Sequence, residues 1–132
     1  MNFWKLGCCW GSEKPDFYDF LLQKRIVICA DRNMERGDWV LVCHGFQGDA
    51  LAHIASDPVP CTSNPDLKEE FTRLQIDYED WNQVASFDEW HTLGDSEKIR
   101  YPKQAGICQI RQDEIIKQIE TIIQKGQGIK DN

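Results

Sequence analysis

Two apolar runs that fail to alternate constrain this chain more than any other feature of it. Residues 39–44 (Trp39-Val40-Leu41-Val42-Cys43-His44) and 50–55 (Ala50-Leu51-Ala52-His53-Ile54-Ala55) carry apolar side chains at odd and even positions alike. Successive side chains of a strand point to opposite faces, so a sheet built from these runs must be covered on both. An open antiparallel sheet with one wet face alternates apolar and polar residues. The arrangement that fits is a small β-barrel with helices packed outside it. Between the runs, Gly45-Phe46-Gln47-Gly48-Asp49 holds two glycines and reads as a five-residue hairpin connection.

The remaining elements supply the rest of that barrel. Residues 2–9 read as a first strand, stopped by the turn formers Gly11 to Pro15. A short helix follows, with Phe17, Phe20 and Leu21 on one face, Asp16 in its first turn and Lys24 and Arg25 at its end. Residues 26–30 form a buried strand, and Asp31 to Gly37 a loop. The prolines between Asp57 and Pro65 dictate an irregular connection, after which Asn64-Pro65-Asp66 starts a surface helix running to about residue 73. Strands are expected within residues 76–93, a loop over 94–104, and a strand from Gly106 to Ile110. The C-terminal helix has the clearest signal: Ile115, Ile116, Ile119, Ile122 and Ile123 form one apolar stripe ending at Lys125-Gly126. The fold class is therefore α+β, a small barrel with peripheral helices and a C-terminal amphipathic helix. A length of 132 residues suits a single domain, 1–132.

Charge narrows the function classes. With 15 Lys+Arg against 22 Asp+Glu, the net charge of −7 opposes general attachment to phosphate backbones or anionic membranes. A nucleic-acid role must then rest on a local pocket. No apolar run approaches the roughly 20 residues that span a bilayer, and Met1 to Lys5 do not resemble the start of a secretory signal. A cytoplasmic protein without membrane contact is expected. The six cysteines, Cys8, Cys9, Cys29, Cys43, Cys61 and Cys108, read as reduced thiols, three of them inside apolar runs.

Chemistry-bearing patterns are few. Cysteines 8, 9, 43 and 61 with His44, His53 and His91 are residue types that zinc accepts, but no Cys-x-x-Cys or His-x-x-x-His spacing occurs. The sequence thus predicts no metal site and no cofactor. Cys43 and His44 point to opposite faces of one strand and cannot act as a nucleophile-base pair. Acidic groups at Asp77 to Asp80 and at Asp88-Glu89 read as solvated faces.

Aromatic residues carry more information. Five tryptophans exceed what core filling usually takes. Trp4 and Trp39 read as core. Trp10 leaves the first strand beside Gly11 and Ser12, while Trp81 and Trp90 lie among polar neighbours. Flat rings with hydrogen-bonding partners suit a pocket for a planar heterocycle. The candidate ligand-binding set is Trp10, Ser12, Trp81, Asp88 and Trp90, with Ser12 and Asp88 reading the ligand's edge.

Several of these features recur together in a known family. Phe3-Trp4-Lys5-Leu6, a short aromatic helix, Ile26-Val27-Ile28, then Arg36-Gly37-Asp38-Trp39-Val40-Leu41, a glycine turn and Ala50 to Pro58 resemble the PUA-like superfamily. The likeness is greatest to EVE-type domains and to N-terminal modules of modification-dependent restriction systems. It covers residues 3–58, with a weaker echo from Tyr78 to Trp90. The resemblance implies a pseudo-barrel with an aromatic cage for a modified or flipped base. The acidic balance departs from a duplex-binding surface.

The expected function is a non-enzymatic binding module for a planar ligand, a modified nucleobase in DNA or RNA or a free small molecule. Two other readings stand beside it. One is a protein-interaction or regulatory domain with an acidic and aromatic surface, and the other a small cysteine- or carboxylate-dependent enzyme.

Overall fold

The computed structural model describes residues 1–8, 17–29, 34–63, 65–73, 83–101 and 107–130. Among these residues eight strands form one sheet: β1 (Phe3–Gly7), β2 (Ile26–Cys29), β3 (Trp39–His44), β4 (Gln47–Ile54), β5 (Val59–Pro60), β6 (Gln83–Thr92), β7 (Ile99–Arg100) and β8 (Ile107–Gln109). The helices are α1 (Tyr18–Lys24), α2 (Pro65–Arg73) and α3 (Asp113–Lys130). Spatial order is β2-β6-β4-β3-β1-β8, with β5 added to β6 and β7 to β4. The β1–β3 pair is parallel and the others antiparallel.

The sheet curls strongly into a half-barrel. Val27 of β2 and Ile107 of β8 lie in opposite end strands of that order, yet they belong to one apolar cluster. Six flat strands would hold them about 24 Å apart at the usual spacing. The inner face of the curl buries Trp4, Leu6, Val40, Val42, Ala50, Ala52 and Ile54 against Leu21 of α1 and Leu67 of α2. The outer face buries Phe3, Trp39, Leu41, Cys43 and Leu51 against Ile115 and Ile119 of α3. Both faces of the β3–β4 hairpin are thus covered, as its unbroken apolar runs require, and the architecture is α+β and barrel-like.

Local chemistry fixes the element ends. Arg25, in the left-handed region at φ 58°, stops α1 and donates its N–H to the carbonyls of Leu21 and Leu22. Pro65 opens α2 at a position where a missing N–H costs nothing. Ile115 and Ile119 are buried, while Ile116, Ile122 and Ile123 flank them. The Gly37-Asp38 turn is a clamp: the buried Asp38 carboxylate accepts from Asn2 N at 2.9 Å, Trp4 Nε1 at 2.9 Å and Glu35 N at 3.0 Å. It ties the first strand to the hairpin and satisfies the indole of a core tryptophan.

Three boundaries differ from the sequence reading. The hairpin turn has two residues, Gly45 and Phe46, because His44 pairs directly with Gln47. Gly45 takes φ 61°, which a glycine adopts without strain. The second glycine belongs to the ladder: a Cβ on Gly48 would fall 2.6 Å from Leu41 Cδ1. The expected loop at 94–104 contains β7, and α3 runs past Gly126 to Lys130. Within 76–93 the structure places β6 at 83–92. No helix among the described residues is long and apolar enough to cross a membrane.

Candidate functional site

The turn end of the β3–β4 hairpin gathers aromatic and charged side chains. A register shift between Val42 and Cys43 leaves Asp49 as an extra residue opposite them, and such bulges re-aim side chains. His44 Nδ1 bonds Asp49 Oδ2, Gln47 Nε2 donates to Asp49 Oδ1 at 2.7 Å, and Lys98 Nζ meets the same oxygen at 2.8 Å. Burial alone would raise the Asp49 carboxyl; hydrogen bonds from Lys98, His44 and Gln47 outweigh it and hold the group below the ordinary carboxylate range. The same bond raises the Lys98 ammonium above its ordinary value. An ionised carboxylate only accepts, so the proton of this pair sits on His44 Nδ1.

Aromatic rings continue the rim inward. Tyr18, the first residue of α1, lies 5.2 Å from the His44 ring and 5.3 Å from Trp90, centroid to centroid, with the Tyr18 and Trp90 planes at 76°. Phe87 lies 5.1 Å from Trp90, with the planes at 39°. Trp90 pairs with Ala52 across the β4–β6 ladder and packs on the inner core. Its Nε1 is buried and, among the described residues, is the one buried side-chain polar atom with no hydrogen-bond partner. Leaving such a donor unpaired costs about 1–3 kcal/mol.

A separate group lies on the other face. His53 Nδ1 is 2.7 Å from Asp88 Oδ1, and the His53 ring packs on Trp39 at 4.7 Å. Glu89 pairs with His53 across the ladder, and His91 lies 5.8 Å from the Trp39 ring.

The sequence-predicted residues therefore divide. Trp90 stands at the inner rim. Asp88 turns to the outer side, where it bonds His53, so these two do not share one pocket. Trp10, Ser12 and Trp81 lie outside the described residues. Of the residues that flank Trp10 and Ser12 in sequence, Phe17 donates its N–H to the Cys8 carbonyl at 2.7 Å. Trp4 and Trp39 are both buried, as read, although on opposite faces. Sequence reasoning missed Tyr18, His44, Asp49 and Lys98 as a group. Only a correct two-residue turn would have brought His44 and Asp49 together, and nothing local announces Lys98.

Burial works against cysteine chemistry at Cys43 and Cys61. Cys8, Cys43, Cys61 and Cys108 are thiols rather than disulfides. Burial pushes Cys43 up to about 12 and Cys61 up to about 11, which makes both poor nucleophiles at neutral pH.

Comparison with protein-family models gave no match, and comparison with curated proteins gave none either.

Proposed function

We propose that this chain is a PUA-like binding module that holds a planar heterocycle, a modified nucleobase of DNA or RNA, at the inner rim of the curled sheet. The observation that carries the reading is the buried Trp90 Nε1 with no acceptor. A donor kept dry and unpaired at a cost is matched when a ligand brings the acceptor. Tyr18 and Trp90 offer flat apolar walls, and the His44, Asp49 and Lys98 cluster lies beyond Tyr18 to meet polar edges or a phosphate. Trp10 and Ser12 are retained as candidate partners of the same ligand because they lie in sequence between Cys8 and Phe17, which are hydrogen-bonded to each other. The order of the Trp4 strand, the Gly37-Asp38 turn and the hairpin is what the PUA-like resemblance rests on. With a net charge of −7, recognition is confined to this pocket.

The test is a tryptophan-fluorescence titration with nucleosides and short single strands, with and without base modifications. Binding at or below millimolar concentration is expected, and Trp90→Phe, which keeps a flat ring and removes the N–H, should weaken it about tenfold. Trp10→Ala should lose the stacking contribution of about 1–3 kcal/mol. If no nucleobase binds the wild type, or if Trp90→Phe binds equally well, the base-reading role falls and the protein-partner reading replaces it.

A further inference from the structure

We propose a second site on the outer side of the sheet, in which His53, Asp88 and Glu89 bind one divalent transition-metal ion of the zinc type. The β4–β6 ladder assembles it. Glu89 stands across from His53, and a register shift between His53 and Ile54 leaves Asp88 as an extra residue of β6. In a regular strand Asp88 and Glu89 would point to opposite faces. The bulge re-aims one of them, so ligand atoms of two consecutive carboxylates come within 4.8 Å of the same imidazole. One ligand atom from each of the three residues lies within 4.8 Å of the others, the His53–Asp88 pair at 2.7 Å. Zinc bonds of roughly 2.0–2.2 Å in tetrahedral array set ligand atoms about 3.4 Å apart. The observed spread brackets that value, and Asp88, with a side chain 53% exposed, is able to adjust.

The imidazole selects the class of ion. Calcium and magnesium prefer all-oxygen sets, whereas one nitrogen with carboxylate oxygens suits zinc and its first-row neighbours. Trp39, itself buried, backs the His53 ring at 4.7 Å and fixes its orientation before any ion arrives. Three protein ligands leave a fourth position to water, the pattern of an open zinc centre rather than a closed structural one. This site does not depend on the base-binding reading and is tested apart from it.

The experiment is calorimetric titration of ZnCl₂ into the untagged, chelator-stripped full chain, with cobalt(II) absorption as a second readout. One equivalent bound in the micromolar range is expected, with a cobalt d–d band. Asp88→Asn and Glu89→Gln should each weaken binding by at least about tenfold, the scale for disturbing a metal ligand's surroundings, and His53→Ala should abolish it. Circular dichroism verifies that each variant folds; should His53→Ala not fold, exposed Asp88→Asn decides. No stoichiometric binding to the wild type overturns the proposal. So does wild-type affinity in all three variants, which would place the ion on the thiols.

Discussion

The outer face of the sheet is covered by one regular helix together with Leu93, Ile99 and Tyr101, whereas the inner face is covered by α1, α2 and irregular connections. Under α3, Ile115 and Ile119 complete an apolar layer, and the buried Tyr101 hydroxyl finds Cys108 Sγ at 3.3 Å. Inside the curl, the Trp90 indole is buried without an acceptor. A face covered by a periodic stripe can be packed and satisfied throughout. A face covered by short pieces is less easily satisfied throughout, and ligand sites favour such junctions.

The largest effect should come from breaking the closed face. Ile119→Ala removes a fully buried side chain from the centre of the α3 stripe and should cost about 2–5 kcal/mol in urea unfolding. A loss under about 1 kcal/mol would mean that α3 does not close this face. An intermediate effect is expected at the hairpin turn. Asp49→Asn weakens the bonds from Lys98, His44 and Gln47 and should cost about 1–3 kcal/mol at neutral pH. Because folding lowers this carboxyl, its contribution is present above its unfolded value near 3.9 and is lost as pH falls through the lower folded value. The wild-type and Asp49→Asn stability curves should therefore converge on acidification; a gap that stays constant down to strong acid would remove the ionised carboxylate from the account. The smallest effect belongs to the inner rim. Trp90→Phe deletes an unpaired donor along with part of a ring, so the two changes oppose and stability should stay within about 1 kcal/mol of wild type. A loss of several kcal/mol would show that the indole N–H has a partner in the folded chain, erasing the contrast between the faces.

The same contrast separates what was legible in the sequence from what was not. Periodicity announced α3 through its isoleucines, Pro65 marked the start of α2, and the missing alternation of residues 39–55 required two covered faces. Composition misled at the hairpin turn, where Gly48 reads as a loop residue but sits in β4 because Leu41 needs the space. Ile99-Arg100 is too short a strand to show a period. The candidate sites were hardest to see. His53 and Asp88 meet only through a bulged ladder between residues 35 apart in sequence, and Tyr18 reaches His44 and Trp90 only because α1 folds over the curl. Trp90 was picked out by its polar neighbourhood, yet its unpaired N–H is a property of packing that no spacing encodes.

The placement of β1 carries a consequence for synthesis. It lies between β3 and β8, paired parallel to the one and antiparallel to the other, so two strands about a hundred residues apart in sequence, the first and last among the described residues, are neighbours. During translation the growing chain can close the β3–β4 hairpin early, and β1 can dock on β3 soon after. The other edge of β1 then stays unpaired until Ile107–Gln109 has emerged. Pairings this distant along the chain fold slowly, and an open strand edge is a template for other chains. The open edge of β1 is thus an aggregation hazard in the nascent chain, and that hazard ends when β8 is in place.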